Sequence, residues 1–135
     1  DLDEIFPVIA LLEGRAAHGA TCRAGDADVA ALQVLHQRLQ QCAAEGRITD
    51  YYAANHAIHE AFITLADNRW LAQAIGDLRK ILRLARLQQL HAPGRLQQSL
   101  AEHLAVFDAL KRRDSEAAEA AGFRQSRARG GSKHE

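Results

Sequence analysis

The sequence contains no methionine, only two cysteines and two prolines, and few aromatic side chains, 5% of 135 residues. Each shortage narrows what the chain can be. Cys22 and Cys42 lack metal-type spacing and are too few for a disulfide framework. They read as two small buried apolar side chains in a reducing cytoplasm. β-branched residues are sparse and scattered, so strands have little to be built from. No apolar run approaches the ~18–20 residues that span a bilayer, and no signal peptide opens the chain. Neither a membrane nor a secretory route is therefore expected. Positive charge is not in surplus either, with 17 Lys+Arg against 17 Asp+Glu. A domain that grips nucleic acid draws most of its affinity from phosphate neutralisation, so DNA binding by this chain itself is not expected. The local exception is the end, with Arg124, Arg127, Arg129 and Lys133, and its GGSKHE reads as a frayed, flexible tail over 130–135. With no methionine even at position 1, the expectation is a piece of a longer protein.

What is abundant is Ala, Leu, Gln, Glu and Arg, all strong helix formers. Periodicity and punctuation predict six helices in one domain covering 1–129. The first runs from about Leu2 to Cys22, with Leu2, Ile5, Phe6, Ile9, Leu12 and Ala16 on one stripe. The second is capped by Asp26 and buries Val29, Leu32, Leu35, Leu39 and Cys42, closing at Gly46. Thr49 or Asp50 caps the third, which reaches about Ala66. Asn68 caps a long fourth helix with Leu71, Ile75, Leu78, Leu82 and Ala85 inward. Pro93-Gly94 breaks the chain, and Ser99 with Glu102 has the spacing of a capping box for the fifth. Asp114 caps the sixth, running to about Arg127. Short connections predict sequential helices packed mostly antiparallel. The expected fold is all-α, a bundle of about six helices around a polar-lined cavity.

Polar residues interrupt the buried stripes in a pattern. In the third helix Tyr51, Asn55, Ile58, Phe62 and Leu65 form the stripe, widened by Tyr52, His59 and Ala66. Asn55 and His59 are four apart and point the same way, whereas His56 falls on the flank beside Glu60. In the fifth helix His103 sits among Leu96, Leu100, Phe107 and Leu110. In the sixth, Gln125 extends the stripe of Ala118, Ala121 and Gly122. Four polar side chains from three helices thus face one interior, where an unpaired polar group is costly. Either they satisfy one another and water, or they gather a metal ion or a polar ligand; spacing alone leaves both readings open. Arg79, Arg83 and Arg86 run along one flank of the fourth helix. They form a solvated face, or Arg79 and Arg86, at the border of the apolar stripe, lean in to hold an organic acid.

The strings LLEGRAA, YYAANHAIHEAFITLADNRWL and PGRLQQSLAEHLAVFDALKRRDSEAAEAA resemble the FCD domain. That is the C-terminal effector-binding domain of the FadR branch of GntR-type bacterial transcription regulators. The likeness is strongest in the Asn-x-x-x-His of the third helix, the Asn68 turn, and Glu102-His103 followed by Asp114 and an Ala-rich helix. It implies a helical bundle enclosing a metal held by an Asp or Asn, a His four later, and two further His. Asn55, His59 and His103 match the first three. The fourth falls on Gln125, a poor ligand for Zn²⁺ or Ni²⁺. The resemblance therefore implies a weak or effector-dependent metal site, a small organic acid as effector, and a homodimer. It also implies DNA contact only through an N-terminal winged helix-turn-helix not included in this chain. At Ile9 the family often has an Arg ahead of the helix-one Glu, here Glu13.

Catalysis is not expected. Di-iron bundles carry Glu-x-x-His motifs and none occurs here. The adjacent Glu102 and His103 point about 100° apart on a helix. The remaining alternative is a dimerisation or scaffolding module whose polar core is merely a satisfied network.

Overall fold

A computed structural model describes the backbone of residues 2–131 and the side chains of 2–83 and 91–128. Six α-helices follow one another: α1 (Leu2–Arg23), α2 (Asp26–Glu45), α3 (Ile48–Ala66), α4 (Arg69–Leu90), α5 (Arg95–Lys111) and α6 (Ser115–Gly131). No strand occurs among the described residues. Most of the expected tail, 132–135, lies outside them, as do the side chains of Ala85, Arg86 and Arg129.

The helix ends follow local chemistry, not always as expected. The Asn68 carboxamide oxygen accepts from the N–H groups of Trp70 (3.1 Å) and Leu71 (3.0 Å), capping α4. Asp114 accepts from the Ala117 N–H at 3.1 Å and caps α6. Asp26 is instead the first residue of α2, with Gly25 in the cap position. Asp28 reaches back to take the Gly25 N–H at 2.9 Å. Neither Thr49 nor Asp50 caps α3, which begins at Ile48. Asp50 lies in its first turn and pairs with Arg47, where a carboxylate complements the helix dipole.

The largest departure is at α5. Gly94 turns the chain at φ +76° and the helix starts at Arg95, four residues before the expected cap. Ser99 is therefore inside the helix, 2% exposed, accepting the Tyr51 hydroxyl proton at 2.9 Å. Glu102 pairs with buried Arg95 at 2.8 Å. Ser99 is thus engaged by Tyr51 of α3 and Glu102 by Arg95 two turns earlier in α5, so neither serves as a cap.

Each helix packing on its successor describes α2–α3 and α5–α6, but α1 lies mainly against α6 and α3. Small residues allow that close approach. A Cβ on Gly14 would stand 3.0 Å from the Glu119 carbonyl oxygen, and one on Gly122 only 3.2 Å from the Ala17 Cβ. A longer side chain at either position would wedge the two helices apart. The main core joins Leu32 and Leu39 of α2, Tyr51, Ile58 and Phe62 of α3, and Phe107 and Leu110 of α5. On the far side of α1, Phe6 and Ile9 pack against Leu82 of α4, and Ala16 against Ile75. Ile9 is fully buried, apolar where the family often has Arg. Cys42 is buried, but Cys22 is exposed, with its sulfur 3.8 Å from His18 Nδ1.

Candidate functional site

Between α1, α3, α5 and α6 the packing leaves a cavity whose walls include Glu13, His36, His59, Arg79, His103 and Gln125. The α-helical period explains how α3 supplies it: Asn55 and His59, one turn apart, are 6% and 8% exposed. The Nε2–H of His103 donates to Asn55 Oδ1 across the α3–α5 seam. The rings of His59 and His103 meet edge to face at 5.2 Å between centroids. Gln125 comes in from α6, 5% exposed. Of the four polar residues picked out on the core-facing stripes, His59, His103 and Gln125 line one cavity, and Asn55 joins them through its bond to His103. His56, placed on the flank, is exposed.

Arg79 is not part of a solvated face. Its guanidinium turns in from α4 and donates through Nε to Glu13 Oε2 at 2.8 Å, with Nη2 bonded to the same oxygen. The two side chains are 12% and 8% exposed. Glu13 Oε2 also lies 3.8 Å from His59 Nδ1, and Arg79 Nη1 lies 3.9 Å from exposed Glu60. One carboxylate thus stands between a cation of α4 and an imidazole of α3. Arg83 remains exposed, and the side chain of Arg86 lies outside the described residues.

His36 of α2 was not singled out from the sequence. It is 1% exposed, stacked on Phe107 at 4.2 Å with planes 7° apart, and edge-on to His103 at 6.3 Å. The signal was available, since residue 36 is four beyond Leu32 and three before Leu39, on the buried stripe. Its Nδ1–H donates to the Leu32 carbonyl at 2.7 Å, which fixes the tautomer. Burial pushes its pKa below the usual 6.5; the Leu32 hydrogen bond opposes this and the Lys111 charge adds to it. At neutral pH the ring is neutral. Among the described residues, His36 Nε2 and Gln125 Nε2 have no hydrogen-bond partner.

The donor chemistry does not fit a preformed Zn²⁺ or Ni²⁺ site. Two of the four candidate ligands are amides, and His103 Nε2 is occupied by Asn55. Among the described residues no group of three or more His, Cys, Asp or Glu is gathered as a metal cage. What the arrangement offers instead is a guanidinium held in place by a carboxylate, beside hydrogen-bonding imidazole and amide groups. Neither Ser nor Cys lines the cavity.

No curated protein sequence matches the chain. Among solved structures, E. coli McbR/YncC superimposes with a TM-score of 0.84 at 23% identity, covering 98% of this chain and 68% of that one. At that identity the likeness speaks for the fold. The sequence pattern of the FCD domain matches residues 4–124, so the chain belongs to the FCD domain family of GntR-type transcription regulators.

Proposed function

We propose that this chain is the ligand-sensing domain of a GntR/FadR-type regulator, binding a small organic acid in the bundle core. One observation carries the reading: Arg79 is turned into the cavity and neutralised there by Glu13. A planar guanidinium is the side chain best suited to a carboxylate, which it grips with two parallel hydrogen bonds. An acid that takes Arg79 releases Glu13, and His59 stands 3.8 Å away to receive it. That exchange loosens the α1–α4 tie and strengthens the α1–α3 one. It is a differential contact of the kind that shifts a protein between two states. In the parent protein those states would hold an N-terminal winged helix-turn-helix differently, with DNA bound there and not here.

The parent is proposed to act as a homodimer in the cytoplasm. No helix among the described residues is long and apolar enough to cross a membrane. A divalent metal, Zn²⁺ or Ni²⁺, would have His59 and His103 as the only imidazoles of the family's ligand pattern and would bind weakly or together with the acid. A scaffolding module with a satisfied polar core would instead need water to pair the His36 and Gln125 nitrogens. The test is a thermal-shift screen of short organic acids, with and without added Zn²⁺ or Ni²⁺. A ligand that binds only the folded state raises the melting temperature by mass action. His59→Ala and Arg79→Leu should each abolish the shift while far-UV circular dichroism stays helical. No shift with any acid would sink the sensing reading and leave the scaffold.

A further inference from the structure

Two polar atoms of opposite hydrogen-bonding character line the same cavity, and neither has a partner among the described residues. His36 Nε2, in a residue 1% exposed, is an acceptor, because the ring's one N–H is given to Leu32 at 2.7 Å. Gln125 Nε2, in a residue 5% exposed, is a donor. The His36 ring cannot turn away to find another partner. It is stacked on Phe107 at 4.2 Å, abuts His103 and is tethered to the helix backbone. Leaving either group unpaired in the interior is costly, and the two do not satisfy each other.

We propose that His36 and Gln125 form a hydroxyl-binding subsite, so that the acid recognised here is a short hydroxy acid and not a simple or oxo acid. The inference rests on the acid-sensing reading of Arg79 and deepens it. A hydroxyl group alone among the small substituents meets both atoms: its O–H donates to His36 Nε2 and its oxygen accepts from the Gln125 amide. A ketone oxygen accepts only and leaves His36 unpaired. An ammonium group donates only and meets the Gln125 N–H with like polarity. An unsubstituted carbon leaves both atoms bare. Sites built to hydrogen-bond a hydroxyl discriminate strongly against analogues that lack it, because the protein's own groups are then stranded. Size sets the rest. The cavity volume is about 30 Å³, room for roughly one or two water-sized groups, so only a short acid enters, and only as the Arg79–Glu13 pair opens. Arg79 and the two nitrogens line one such small space, which places the hydroxyl close to the carboxylate.

Calorimetry with 2-hydroxybutanoate, 2-oxobutanoate and butanoate tests this on the chain as it stands. The hydroxy acid is expected to bind at least tenfold more tightly than either analogue, a difference of about 1.4 kcal/mol. His36→Phe keeps the stack on Phe107 and removes the acceptor, and Gln125→Leu removes the donor without changing the size much. In each variant the preference should disappear, the hydroxy acid binding no more tightly than butanoate does. If the wild type binds all three acids alike, or if the preference survives in both variants, the subsite is overturned and the acid reading stands. If none of the three binds, the acid reading falls and takes the subsite with it.

Discussion

Arg79 of α4 and Glu13 of α1 meet in the interior at 2.8 Å, two opposite charges shielded from solvent and bound to each other. Neither helix needs the pair for its own formation. The pair stands apart from the apolar contacts of Phe6 and Ile9 with Leu82 and of Ala16 with Ile75, which already hold α1 to α4. Under the acid-sensing proposal such a pair serves recognition more than stability, and its removal has a predictable signature.

Arg79→Leu strands the Glu13 carboxylate in a low-dielectric interior, and removing one partner of a buried pair costs about 3–5 kcal/mol. Urea denaturation should show that loss. Glu13→Leu combined with Arg79→Leu should recover most of it, because no unpaired charge is left. A double variant no more stable than Arg79→Leu alone would mean the pair is held for stability.

Acid should weaken the fold through His36. Its folded-state pKa lies below the unfolded 6.5, so over that window the unfolded chain binds a proton that the folded chain refuses. Stability therefore rises with pH between the depressed value and 6.5 and is insensitive to this group above it. His103 and Lys111 face the ring from α5, and neither offers the imidazolium a counter-charge in that window. Lowering the pH from about 7.5 to about 5.5 should reduce the melting temperature more for the wild type than for His36→Phe. Parallel curves for the two proteins would contradict this.

Gln125→His adds an imidazole at a cavity that already holds His36, His59 and His103. Neutral imidazole suits Zn²⁺ and Ni²⁺ where an amide oxygen does not. Affinity for either ion should rise at least tenfold, or about 1.4 kcal/mol, by calorimetry. Unchanged affinity would show that the α6 side chain at 125 does not reach the same point as His59 and His103.

Gly14→Ala should destabilise the protein by about 1–3 kcal/mol, although alanine is the better helix former. Its Cβ would press on the Glu119 backbone at 3.0 Å, and a backbone atom cannot swing aside. Ala10→Gly, on the same buried face of α1 but without such a conflict, should cost about 0.5–1 kcal/mol through helix propensity alone. Equal effects of the two changes would mean that the α1–α6 approach is looser than described.

The sequence by itself determined the six helices, because apolar spacing and the turn residues are local properties. Asn68 and Asp114 cap where they stand in the chain. It also determined that Asn55, His59, His103 and Gln125 face inward, since a residue four positions from a buried one shares its face. What only the tertiary structure decided is the company those residues keep. Ser99 and Glu102 have the spacing of a cap, yet Tyr51 and Arg95 claim them from across the fold or from an earlier turn. Arg79 borders its helix's apolar stripe and reads equally well as a surface charge. It turns inward because Glu13, 66 residues earlier, waits there with a carboxylate. His36 lay on a legible stripe but drew notice only through its stacking on Phe107 and its bare Nε2. Periodicity reports which way a side chain points. Whether a buried polar atom finds a partner there depends on distances between helices far apart in the chain, and no local pattern encodes those.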